Sequence, residues 1–205
     1  MKLICLSSIT LLGTLLGAAC GGGDDGIDSD EEARRAYLGL DTSIEKSLTL
    51  GFAGFNSATS ANIAPQTTTG ILAGTLVITG QVDQGSSTNK GLRLKVGMTD
   101  YSDGAIVVEG DNVEVDISYD TNVDVALQPA LTLNLKNFPG GTLDGTLIGD
   151  YVMEGDVDGT ATLNLSFAGM TMDGGNGLVL RVPGSTTVTG TATTGDGTYE
   201  VNLTL

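Results

Sequence analysis

The chain has 205 residues, with 25 acidic side chains against 9 basic ones, a formal net charge of −16, and neither His nor Trp. That charge repels phosphate backbones, which excludes nucleic acid as a partner, and argues against binding anionic lipid through a basic patch. The lack of His removes the commonest proton-transfer residue, and only two cysteines, Cys5 and Cys20, are available for thiol chemistry.

The first segment has the layout of an export signal: Lys2 gives a positive start, residues 3–16 an uncharged apolar core, and Gly17, Ala18 and Ala19 a small-residue end. The apolar run is too short for a membrane span. At Leu15-Leu16-Gly17-Ala18-Ala19-Cys20 the segment resembles the lipobox of bacterial lipoproteins, although Leu16 stands four places before the cysteine where the family prefers three. That resemblance implies cleavage after residue 19, acylation of Cys20, and a cell-envelope location. Cys5 would be discarded, leaving no disulfide and no free thiol. An acyl anchor is stable by itself, because each buried methylene contributes about 0.8 kcal/mol. The expected partner at this end is therefore the membrane, reached through lipid.

The next stretch, Cys20-Gly21-Gly22-Gly23-Asp24-Asp25, is similar to the Gly-rich tethers of myxobacterial lipoproteins, and Gly21 directly after the cysteine implies sorting to the outer membrane. Asp24, Asp25, Asp28, Asp30, Glu31 and Glu32 crowd one short stretch. Self-repulsion and the scarcity of apolar side chains predict a flexible acidic tether over residues 20–40. A single β-rich domain is expected over residues 41–205.

That domain opens with helical spacing. Ile44, Leu48, Phe52 and Phe55 form one stripe, and Thr42 with Glu45 reads as a capping box, so a helix is predicted over about residues 43–57. Gly51 and Gly54 each weaken it by about 1 kcal/mol relative to Ala.

Beyond residue 70 the pattern has a period of two. Leu72, Leu76, Ile78 and Val82 share a face, as do Leu92, Leu94, Val96 and Met98, while Arg93 and Lys95 take the other. Odd positions carry the apolar side chains later: Leu131, Leu133 and Leu135; Leu143, Leu147, Tyr151 and Met153; Leu163, Leu165 and Phe167; Val201 and Leu203. One dry and one wet face per strand means an antiparallel sheet. Gly74, Gly80, Gly145, Gly149 and Gly169 fall on the apolar face, where missing bulk permits strong coiling. The expected fold is all-β, a Gly-rich sheet curled into a barrel, half-barrel or sandwich, with one short helix packed on it. Alternation alone also fits a membrane-spanning barrel, but no aromatic girdles are visible.

Chemistry is sparse. Most acids stand beside Gly, as in Asp103-Gly104, Asp144-Gly145 and Asp173-Gly174, where the carboxylate serves a turn. Calcium is the one metal worth weighing, at Asp120-Thr121-Asn122-Val123-Asp124 and Gly155-Asp156-Val157-Asp158-Gly159, but neither run continues into an EF-hand. The expectation is no catalytic residue, no metal and no cofactor. Lys90, Arg93 and Lys95 are the one basic cluster among the strands and the candidate interaction patch; Tyr101, Tyr119, Tyr151 and Tyr199 are weaker candidates for stacking on carbohydrate. Phe52 and Phe55 are the candidate lining of a ligand groove between helix and sheet. The leading expectation is a non-catalytic envelope lipoprotein holding a lipid or other apolar ligand, by fold-level analogy with half-barrel lipoprotein carriers. The alternative is a structural or adhesive module whose outer face contacts polysaccharide or a protein. A carboxylate-dependent enzyme ranks last, and no oligomer is implied.

Overall fold

The computed structural model describes residues 26–108 and 113–205, apart from the side chains of Val108 and Val113. The export signal, Cys20 and the first part of the expected tether lie outside the described residues.

The chain enters the fold earlier than the acidic composition implies. Ile27 is buried, and helix α1 spans Asp30–Ser57 rather than starting near residue 43. Its cap is Ser29, whose hydroxyl accepts from the Glu32 N–H at 3.3 Å, while the Glu32 carboxylate accepts from the Asp28 N–H at 2.9 Å. Asp30, Glu31 and Glu32 occupy the first turn, where the helix dipole favours negative charge. Asp30, Glu31 and Glu32, three of the acids that resemble a solvated tether, are therefore helix-start residues, and Thr42 and Glu45 sit mid-helix. Ala33, Ala36, Tyr37 and Leu40 extend the buried stripe upstream of Ile44, Leu48 and Phe52. The helix also runs through Gly51 and Gly54, both buried.

Among the described residues twelve strands follow: β1 (Asn62–Thr69), β2 (Ala73–Val82), β3 (Lys90–Ser102), β4 (Ile106–Val108), β5 (Val113–Val115), β6 (Ile117–Asp120), β7 (Ala130–Lys136), β8 (Thr142–Gly155), β9 (Gly159–Gly175), β10 (Leu178–Arg181), β11 (Thr187–Thr193) and β12 (Thr198–Thr204). Ten of them form one antiparallel sheet curled into a ring, and β4 and β5 make a separate hairpin. The path runs β1-β2-β3, then β6 and β7 end to end, then β8-β9-β11-β12, with β10 in line with β11 along the long strand β9. Between β6 and β7 the chain leaves the sheet through a short 3-10 turn, Val125–Leu127.

Strands β1 and β12 are not paired with each other. Helix α1 packs against both, and against β2 and β10, so it lies across the seam that the sheet leaves open. The alternating apolar face turns toward it, and a single core joins the helical stripe to the inward side chains of the sheet. Gly80 shows how the curl is accommodated: its φ of 132° belongs to a region that side chains disfavour, and a Cβ there would overlap the Arg93 carbonyl. Leu72 departs from its expected inward place, at 64% exposed in the turn before β2.

Two polar contacts fix the helix to the β3 side of the fold. The Tyr119 hydroxyl donates to the Ala36 carbonyl at 2.8 Å, and the absent side chain of Gly39 leaves room for the ring. Lys46 donates to Asp103, to the Tyr101 hydroxyl and to the Thr69 carbonyl. Asp103 was expected to serve a turn. Instead its carboxylate is 4% exposed and also accepts from the Tyr101 hydroxyl and the Ile71 N–H.

Candidate ligand-binding cleft

A second stripe on α1, formed by Arg34, Leu38, Asp41, Thr42 and Glu45, lies beside the buried one at the same three- and four-residue spacing. It forms one wall of an open cleft of about 1220 Å³. Leu180 and Arg181 of β10, with the turn that follows at Val182 and Pro183, make a second wall, and the end of β12 at Asn202, Leu203 and Thr204 makes the third. Val107 and Met172, 64% and 37% exposed, stand at the margin. Apolar side chains supply much of the lining.

Arg181 organises the floor. Its guanidinium forks onto both oxygens of Asp41 at 2.8 Å, its Nε donates to Glu45 at 2.9 Å, and its backbone N–H also reaches Glu45. The Tyr37 hydroxyl donates to Asp41 at 2.7 Å. Burial works against the Arg181 charge, yet hydrogen bonding to Asp41, together with Glu45, outweighs it and holds the pKa above the ordinary value. Burial first, and then the Asp41 carboxylate, push the Tyr37 phenol well above its usual range. Both carboxylates are thus bound to one cation. Arg34 is paired with Glu31 at 2.8 Å. The floor sets one guanidinium against two carboxylates between apolar walls, so every charge on it is paired while one negative charge is left in excess.

The residues singled out from sequence lie elsewhere. Phe52 is 1% exposed, 5.3 Å from Phe138 and 6.2 Å from Phe55 between ring centroids, so the expected groove is filled with aromatic packing. The basic cluster is no patch. Lys90 shares the inward parity of Leu92, is 3% exposed, donates to the Gly85 carbonyl at 2.6 Å and sits 4.7 Å from the Phe55 ring centre. Arg93 pairs with Asp83 at 2.7 Å, and Lys95 donates to the Ala126 and Gln128 carbonyls. Tyr101, Tyr119 and Tyr151 are core side chains rather than exposed stacking surfaces; Tyr199 is partly buried against the core.

In the calcium candidates the oxygens serve the backbone. Asp120 accepts from the Asp100 N–H, Asn122 from Asp124, and Asp124 from Ala126; Asp156 accepts from Asp116, and Asp158 from Gly155. Among the described residues no group of three or more His, Cys, Asp or Glu side chains is placed to hold a metal. Among them, too, no helix is long and apolar enough to cross a membrane.

Asp41, Glu45 and Arg181 escaped the sequence reading, although two signals existed. Asp41 and Glu45 are four apart on a helical stripe, and Arg181 is the sole basic residue after Lys136. What defines this class of protein is a curled antiparallel sheet, a helix across its open seam, and a cleft where helix and sheet diverge. No protein family, no curated protein and no solved structure matches the chain.

Proposed function

We propose that the chain is a non-catalytic cell-envelope lipoprotein, anchored by acylation at Cys20, whose folded part binds an elongated, largely apolar ligand in the cleft between α1 and the β10–β12 corner. The observation that carries this reading is the cleft itself: about 1220 Å³, above the roughly 300–1,000 Å³ of small-molecule pockets, walled by Leu38, Leu180 and Leu203 over a floor whose two carboxylates are both held by Arg181. The lipobox-like segment supports the anchor. The alternative, a surface module contacting polysaccharide or protein through its polar outer face, draws support from the threonines that dominate the outward side of β11 and β12.

Native mass spectrometry tests the reading on chain expressed from residue 21, which keeps Ile27 and the Ser29 cap, and purified without detergent. A co-purifying ligand lost in Leu38→Arg supports it; a ligand that survives this substitution refutes the cleft as its site. Membrane attachment is tested separately, and a Cys20→Ser protein that stays on membranes refutes the anchor.

A further inference from the structure

The third wall of the cleft is the edge of a β-sheet, and its backbone hydrogen bonds can be counted. Leu205 and Thr186 exchange both N–H to carbonyl bonds at 2.8 Å, so alternate residues Leu203, Val201 and Tyr199 also bond to β11. The N–H and carbonyl groups of Glu200, Asn202 and Thr204 therefore point away from β11, off the edge. Glu200 confirms the phase, because its N–H donates at 2.7 Å to Asp30 at the start of α1. Past that point helix and strand diverge into the cleft, and among the described residues none takes the backbone groups of Asn202 and Thr204, whose residues line it.

The other free edge of the sheet is treated differently. Strand β1 carries Pro65 at a register shift, and the Gln66 amide folds back onto the Ala64 carbonyl at 2.9 Å. Proline, bulges and side-chain cover are the means by which sheets prevent further pairing. From Asn202 onward β12 has no proline, no lysine and an uninterrupted register. One edge is closed and the other stands open inside a walled cleft.

We infer that the cleft receives an extended segment of another polypeptide, which pairs with the β12 edge at Asn202 and Thr204 and turns alternate apolar side chains toward Leu38, Leu180 and Leu203. This names the ligand class of the cleft proposed above and rests on that reading. Backbone chemistry decides against an acyl chain, which would cover the two N–H and two carbonyl groups without bonding them; each buried group left unpaired costs about 1–3 kcal/mol. A strand satisfies them, with affinity from the main chain and selectivity from alternate side chains. A second copy of this chain would bring a whole sheet behind its edge, and α1 and the turn at Val182 and Pro183 wall the site too closely for that. The excess of acids over bases disfavours an acidic segment.

The test uses the full chain, solubilised in non-ionic detergent, and heptapeptides selected on it from a random library. Each selected peptide is remade with backbone N-methyl groups at alternate positions. Methylation in one parity should weaken binding about tenfold or more and in the other hardly at all, because only one set of amides faces β12. Thr204→Pro should produce the same loss from the protein side; the methylated peptides read the pairing even if that variant misfolds. A library without binders, or binders indifferent to methylation parity, overturns strand pairing. Oleate binding that Leu38→Arg abolishes would in that case leave the cleft as the site, whereas peptide and oleate both indifferent to Leu38→Arg would remove the cleft reading as well.

Discussion

Replacing Arg181 by Met keeps the apolar stem and deletes the charge that binds α1 to β10. The side chain is 11% exposed, and its partners Asp41 and Glu45 are 21% and 27% exposed. Breaking a buried ion pair from one side costs about 3–5 kcal/mol, because the remaining charge stays desolvated. Here the cleft lets water reach both carboxylates, which lowers the expected loss to about 2–3 kcal/mol. With a urea slope of about 2 kcal/mol per molar, the unfolding midpoint should fall by about 1–1.5 M at pH 7. Neutralising the stranded acids in Arg181→Met/Asp41→Asn/Glu45→Gln should recover about half of that loss. Arg93→Met is the control: its pair with Asp83 is about half exposed on both sides, and the shift should stay within about 0.5 kcal/mol. If Arg181→Met unfolds with wild type, or if the triple variant recovers nothing, the network does not hold the helix in place.

Three further outcomes are expected. Gly39→Ala should destabilise by about 1–2 kcal/mol despite alanine's better helix propensity, because the new methyl overlaps the Tyr119 hydroxyl; the cost should shrink in a Tyr119→Phe background, read by urea titration of all four variants. The Ser47 hydroxyl is the one buried side-chain polar atom without a partner among the described residues, so Ser47→Ala should raise stability by about 1 kcal/mol, and a lower melting temperature would contradict this. Glu31 and Glu32 are held below the ordinary value of 4.5, Glu31 by its hydrogen bond to Arg34, and Glu32 because bonds at the cap outweigh the opposing effect of burial. Depressed carboxylates stabilise fully above their unfolded pKa and lose that contribution as pH falls through the folded one. Wild type should therefore lose stability on acidification below 4.5 more steeply than Glu31→Gln, and parallel curves would show that the helix start is not pH-linked.

Much of the sheet is legible in the sequence because burial on one face imposes a period of two. The inward sets at Leu92–Met98, Leu131–Leu135 and Leu163–Phe167 are those that alternation selects. Composition misled at the helix start, since a run of acids reads identically as a repelling tether and as the negatively charged first turn of a helix. Only the buried Ala33, Ala36 and Tyr37 distinguish the two, and small or amphipathic side chains give a weak apolar signal. The same ambiguity governs the sites. Lys90 and Arg93 are near in sequence but opposite in parity, so clustering in the chain does not become clustering on a surface. The cleft pairs Asp41 with Arg181, 140 residues apart, and local patterning carries no information about such a meeting.

The helix that lies across the open seam also sets the order in which the chain is completed. Its contacts with Arg181 and Glu200 bridge 140 and 170 residues, whereas most sheet pairings join strands adjacent in sequence. Loop closure over such spans is slow, so these two contacts are expected to form after the hairpins and after the helix has met β1 and β2. The helix is therefore secured in stages: Gly51 and Phe52 meet Leu92 and Phe138, Ala36 meets Tyr119, and Asp30 at the helix start meets its partner only once β12 is in place. With β12 removed, most of the ladder and most of the helical stripe would keep their partners, and the loss would fall on the helix start at Asp30, which is bound to Glu200.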